Sequence, residues 1–226
     1  MSDTVLPLPL LIWLSPAFPV GAFAYSHGLE WAVEAGDIKD AAGLRHWLED
    51  LIAHGSLRND AVLLAAAWRA CAEANADAVS LADVNALALA LAPSAERYLE
   101  ISAQGNAFAR ALAAAWPCRS LDRLAGGDIA YPVALGAAAA EHGLELEPTL
   151  AAFALAVESN LVSAAQRLGT IGQSDAVKIA AALLPALQDL ARGAAQAGLD
   201  DLGGCAFRAD IASLRHETQY SRLFRS

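Results

Sequence analysis

Lysine is almost missing from this chain. Two occur, Lys39 and Lys178, and the fifteen lysines and arginines together face twenty-five aspartates and glutamates, for a formal net charge of -10. A protein that grips phosphate backbones needs a basic face, so this balance argues against nucleic acid as a main partner. Cysteine is scarce as well: Cys71, Cys118 and Cys205 lie far apart and form no CxxC pair. That spacing suggests neither a disulfide framework nor a thiolate metal site, and it fits a reducing cytosol. No uninterrupted apolar run reaches the length of about 18 residues that reads as a membrane span. The opening "TVLPLPLLIWLSPAF" has an apolar stretch, but Asp3 precedes it, no Lys or Arg does, and two prolines break it. It departs from the signal-peptide template, and we expect a cytoplasmic protein. Sustained alternation of β-branched residues and Asn-Gly or Asp-Gly hairpin turns are also lacking, so nothing competes with helix.

What remains is alanine. There are 55, within a chain that is 56% hydrophobic and 18% charged. Small apolar residues in that proportion favour closely packed helices, and hydrophobicity this high excludes a disordered chain. In "DAAGLRHWLEDLIAHG", Leu44, Trp47, Leu48, Leu51 and Ile52 fall at i, i+3, i+4, i+7 and i+8, with Asp40 as N-cap and Gly55 as stop. Residues 59–73 continue in the same period. "SLADVNALALALAPS" opens on a capping-box pattern at Ser80 and Asp83 and closes at Pro93. Further helices are expected over 94–116, 128–142, 148–168 and 174–197, the last kinked at Pro185. The fold class is all-α: a single-domain bundle of roughly nine to ten helices over residues 1–207, with a C-terminal partner-binding tail at 208–226.

Few residues offer chemistry. The histidines His27, His46, His54, His142 and His216 show no HxxxH or HExxH spacing, and His46, His54 and His142 read as surface or helix-end residues. Ser26 beside His27 invites a hydrolase reading, but sequence neighbours on a helix point apart, and no nucleophile elbow, phosphate loop or dinucleotide fingerprint accompanies them. We therefore expect no catalytic residue, no metal site and no cofactor. A hydrolase using Ser26 and His27 and a nickel-binding metallochaperone using His27 or His216 are the alternatives.

Two stretches stand out. In "WLSPAFPVGAFAYSHGLEWAVEAG", Pro16, Pro19 and Gly21 enforce a turn, and Phe18, Phe23, Tyr25 and Trp31 gather around His27 and Glu30. Aromatic bulk mixed with ionisable tips is typical of recognition surfaces, although a structural connector with buried aromatics has the same composition. The second stretch is the ending "SLRHETQYSRLFRS", positively charged in an acidic protein. If helical, it sets Tyr220, Leu223 and Phe224 on one stripe edged by Arg222 and Arg225. Such a stripe either folds back on its own domain or docks into another protein.

Together with "QGNAFARAL" at 104–112 and "SAAQRLGTIGQ" at 163–173, these stretches resemble the UreF family of urease accessory proteins over nearly the whole chain. The resemblance implies an all-helical, non-enzymatic homodimer. It would bridge the scaffold protein UreD (also called UreH) and the GTPase UreG, coupling GTP hydrolysis to nickel delivery into apo-urease. The family's N-terminal motif falls on Pro19, Gly21, Tyr25, Ser26, His27, Gly28, Leu29 and Glu30. Its C-terminal motif falls on His216, Glu217, Gln219, Tyr220, Ser221, Arg222, Leu223, Phe224, Arg225 and Ser226, and Arg215 precedes it. Where the family commonly has a proline and further glutamines, this chain reads "RLGTIGQSDAV", keeping Arg167 and Gln173. On this reading the tail becomes ordered when the scaffold binds, and the N-terminal motif, or a surface made by dimerisation, faces the GTPase. Replacing Tyr25 or Glu30 would then weaken that contact while leaving the fold intact.

Overall fold

The computed structural model describes residues 7–72 and 79–226. Eleven α-helices run through them in this order: α1 Leu8–Trp13, α2 Leu29–Glu34, α3 Ala41–His54, α4 Ser56–Ala72, α5 Leu81–Ala90, α6 Ala95–Ala113, α7 Arg119–Asp122, α8 Tyr131–Glu141, α9 Leu146–Arg167, α10 Gln173–Gln196 and α11 Phe207–His216. Single 3-10 turns lie at Ala22–Ala24 and Leu199–Asp201, and the described residues contain no strand. The fold is all-α.

Local chemistry explains most boundaries. Asp40 accepts from the backbone N–H of Gly43 at 2.8 Å, Ser80 from Asp83 and Ser94 from Arg97, which places N-caps at the starts of α3, α5 and α6. The apolar opening forms α1 because Pro7 and Pro9 stand before and within its first turn, where no backbone N–H is needed. Trp13 at its end is fully buried between Phe108 and Trp116. Pro185 is accommodated inside α10, which runs unbroken to Gln196.

The core lies between α4, α8, α9 and α10. Alanines and one glycine allow the closest approach: a Cβ on Gly136 of α8 would sit 2.4 Å from the carbonyl oxygen of Leu64 on α4, so only glycine fits that crossing. Similarly, a Cβ on Gly105 of α6 would fall 1.9 Å from the Ile129 carbonyl. By length and composition α9 is apolar enough to cross a membrane, but half of its apolar window is buried against its neighbours. It is also interrupted by a buried carboxyl, Glu158. α11 packs on α2 and on the start of α6, and this arrangement positions the site.

Candidate functional site

The two sequence stretches singled out for recognition meet. Gly28, at φ +76, begins α2, and a Cβ there would lie 2.5 Å from the backbone nitrogen of Ser213 on α11. Only a residue without a side chain, in a conformation that glycine adopts freely, lets α2 and α11 come so close. His27 precedes it at φ 55, the one non-glycine residue among those described with positive φ.

Around this crossing the tail is held by backbone groups. The N–H groups of Leu223 and Phe224 donate to the Glu30 carboxylate at 2.6 and 2.9 Å. The N–H of Ser26 donates to the Ser226 carbonyl at 2.7 Å, the Ser26 hydroxyl donates to the same oxygen, and Arg225 N–H donates to Ala24 at 2.8 Å. His216, with no exposed surface, lies between two carboxylates: its Nε2 is 3.1 Å from Glu30 and its Nδ1 2.6 Å from Glu96. Glu96 also accepts from Arg222 at 2.7 Å.

A second buried cluster adjoins the first. His27 Nε2 is 2.6 Å from Glu100, Arg97 donates to Glu100 at 2.7 Å and to Asp60 at 3.2 Å, and the Ser226 hydroxyl reaches Glu100 at 3.0 Å. Burial by itself would push the Glu100 carboxyl up; the charges and hydrogen bonds of Arg97 and His27 outweigh it and hold the group at about 2. At Asp60, burial prevails over the nearby Arg97 and raises the carboxyl above its ordinary range.

The sequence-predicted residues therefore divide. Tyr25, Ser26, His27, Glu30, His216 and Phe224 are buried. Tyr25 and Glu30 do not form an exposed recognition surface, because Glu30 spends both carboxylate oxygens on the tail and on His216. Its replacement would disturb the fold, contrary to the sequence expectation. Nor does the tail continue as a helix beyond His216: Phe224 turns inward under Arg167, whose guanidinium carbon stands 4.3 Å from the ring centroid, while Tyr220 and Leu223 project outward. The tail thus packs on its own domain with no partner present. Arg167 donates to the Phe23 carbonyl at 2.6 Å, Gln173 accepts from Gln166, and Glu217 accepts from the N–H of Ala95 at the start of α6. Gln219 bonds Glu34 and the Ser221 carbonyl. Pro19 and Arg215 are exposed, and Gly21 supplies a φ of +75 ahead of the first 3-10 turn. Ser26 and His27 are not bonded to each other. The Ser26 hydroxyl is committed to Ser226, and His27 Nε2 to the Glu100 carboxylate.

Sequence reasoning missed Glu96, Arg97, Glu100 and Gln104 on α6. Their signal was available: Arg97 and Gln104 occupy the same helical face as Ile101, Phe108 and Leu112, where an amphipathic helix ordinarily carries apolar residues.

On the outside, α11 exposes Phe207, Ile211 and Leu214, at 68%, 51% and 49%, successive residues of one face. Tyr220 and Leu223 extend the exposed apolar surface into the tail, and Arg208, Arg215 and Arg225 are exposed along the same segment. Elsewhere, a cavity of about 700 Å³ lies between the 10–23 arm and α9, with walls of Trp13, Phe18 and Leu155 and with His27 and Glu100 also lining it. Among the described residues no group of three or more His, Cys, Asp or Glu side chains is arranged to hold a metal ion.

A family model described as UreF matches residues 38–184 of this chain. The chain is 54% identical to a urease accessory protein UreF from Methylobacterium radiotolerans, over 97% of its own length and 96% of the relative's. It is 57% identical to one from Xanthobacter autotrophicus, over 97% and 90%. With one from Azorhizobium caulinodans it shares 52% identity over 100% and 99%.

Proposed function

The chain belongs to the UreF family of urease accessory proteins, and on that premise we propose that it is a cytoplasmic, non-enzymatic adaptor. In this reading it bridges the scaffold UreD (UreH) and the GTPase UreG, as a homodimer, and couples GTP hydrolysis to nickel insertion into apo-urease. The observation that supports adaptor work most strongly is the apolar face of Phe207, Ile211 and Leu214 on α11, prolonged by Tyr220 and Leu223 and flanked by arginines. Apolar and aromatic anchors with guanidinium groups around them are the composition of interface hot spots. On a protein of net charge -10 this positively charged segment selects a partner whose apolar patch is edged by carboxylates. We assign that face to the scaffold.

The N-terminal motif then acts indirectly. Tyr25, Ser26, His27 and Glu30 hold the tail in place, and Pro19, Gly21 and Phe23 shape the exposed arm beside it. Arg167 ties that arm to Phe224. The test is to mix the purified protein with UreD and UreG and to measure the mass of what elutes by size-exclusion chromatography with light scattering. A stoichiometric assembly is expected; three separately eluting proteins would refute the reading.

A further inference from the structure

The cavity of about 700 Å³ between the 10–23 arm and α9 has the size of sites that enclose small molecules. Its outer wall is held in place by the chain itself. Pro16 and Pro19 fix φ along the arm, and Gly21 turns it at φ +75. The far end is pinned where Arg167 donates to the Phe23 carbonyl at 2.6 Å and Asn160 to the Tyr25 carbonyl at 3.2 Å. Across from the arm, α9 presents Ala152, Ala156, Ser159 and Ser163, successive small residues of one face, so side chains from that side do not fill the space. The site is preformed, and a ligand entering it need not order the backbone first.

Polar and apolar lining separate by depth. Leu11, Phe23 and Leu155 are exposed, whereas His27, Glu100 and Gln104 are buried. Glu100 is the one carboxylate among the lining residues, and no Lys or Arg is among them. That carboxylate is already engaged: Arg97, His27 Nε2, the Gln104 amide at 3.0 Å and the Ser226 hydroxyl at 3.0 Å surround its oxygens. Two other polar atoms are not engaged. Gln104 uses its N–H on Glu100, which leaves its carbonyl oxygen without a partner among the described residues. The Tyr131 hydroxyl donates to none of them either, and burial, with no hydrogen bond opposing it, raises that group above the ordinary tyrosine range. One acceptor, and one hydroxyl able to give or take a hydrogen bond, remain to be satisfied in an otherwise apolar chamber.

These groups select the ligand. An anion would meet Glu100 and find no cation; a cation would meet a carboxylate already paired with Arg97 and would give up its hydration without compensation. We propose that the cavity binds a small uncharged amphiphile, an aliphatic or aromatic body ending in a hydroxyl or carboxamide. The head group bonds Gln104 and Tyr131, and the body lies against Trp13, Phe18 and Leu155. No lining residue belongs to α11 or to the tail, so this site and the adaptor reading stand or fall separately.

The experiment titrates the full chain by calorimetry at neutral pH with probes of one chain length: octan-1-ol, octanoate and octylammonium. Octanol should saturate at one molecule per chain and bind about tenfold or more tightly than either charged probe. Tyr131→Phe, which removes a hydroxyl that donates to no described residue, should weaken octanol about fivefold at unchanged thermal stability. Ala156→Phe, which places a ring in the chamber, should abolish binding, and Ala152→Phe serves in its place should that variant not fold. The proposal is overturned by absence of saturable octanol binding, by equal binding of a charged probe, or by unchanged binding in Tyr131→Phe or in the folded cavity-filling variant. It is also overturned if light scattering shows a dimer that takes up no octanol and that Ala156→Phe dissociates, which would give the cavity to a second copy of the chain.

Discussion

At the scale of the residue, the informative groups are polar ones in apolar places. Glu158 on α9 is 1% exposed, one of its carboxyl oxygens has no hydrogen-bond partner, and burial pushes the group up to about 7, against a small opposing effect of the Ser159 hydroxyl. The folded chain therefore keeps the Glu158 proton where the unfolded chain has released it. That contribution is fully present below the ordinary glutamate range and is lost as pH rises toward 7. Glu158→Gln should accordingly gain on the parent by about 2 kcal/mol in urea unfolding at pH 8 and by much less at pH 5. A gain that does not vary with pH contradicts this. Glu30 is the opposite case, a buried carboxylate with every oxygen engaged. Glu30→Ala removes the acceptor for two tail N–H groups and the partner of His216, and should lower stability by about 3 kcal/mol. A midpoint shift in the same unfolding experiment measures it.

At the scale of the element, glycine positions separate contact from propensity. Gly28→Ala adds a Cβ 2.5 Å from the α11 backbone at a positive φ, whereas Gly193 on α10 has nothing within 4 Å of its would-be Cβ. The first substitution should cost about 3 kcal/mol and detach α11; the second should stabilise by about 0.5 to 1 kcal/mol through helix propensity alone. Thermal unfolding of the two variants side by side checks both signs. These elements also show what the sequence made legible. Asp40, Ser80, Ser94 and Pro93 mark boundaries through contacts within four residues, and period alone located α3 and the long helices. α1 escaped because its prolines read as breaks, although they occupy the first turn. The tail escaped for a different reason: Tyr220, Leu223 and Phe224 have helical spacing, but the backbone N–H groups of Leu223 and Phe224 go to Glu30, some 190 positions earlier, and that of Arg225 to Ala24. Pairing over such separations leaves no periodic trace. Arg97 and Gln104 betray themselves on the apolar face of α6, whereas Glu96 and Glu100 look like an ordinary solvated helix face until α2 and α11 are laid over them.

At the scale of the whole molecule, an acidic, alanine-rich bundle presents a positively charged, aromatic segment, and holds the end of that segment through hydrogen bonds to the buried carboxylates Glu30 and Glu96. Surface apolar residues scattered singly need no explanation, but a helix face of Phe207, Ile211 and Leu214 continued by Tyr220 and Leu223 is a patch that association would cover. Because Ile211 and Leu214 make no part of the buried core, they can be altered without touching the tail's fastening. The most direct measurement is the affinity of UreD for the intact protein compared with the Ile211→Glu, Leu214→Glu double variant, by calorimetry, with helicity checked by circular dichroism. Binding should weaken about a hundredfold while helicity is unchanged. An unaltered affinity in a correctly folded double variant would contradict the assignment of this face.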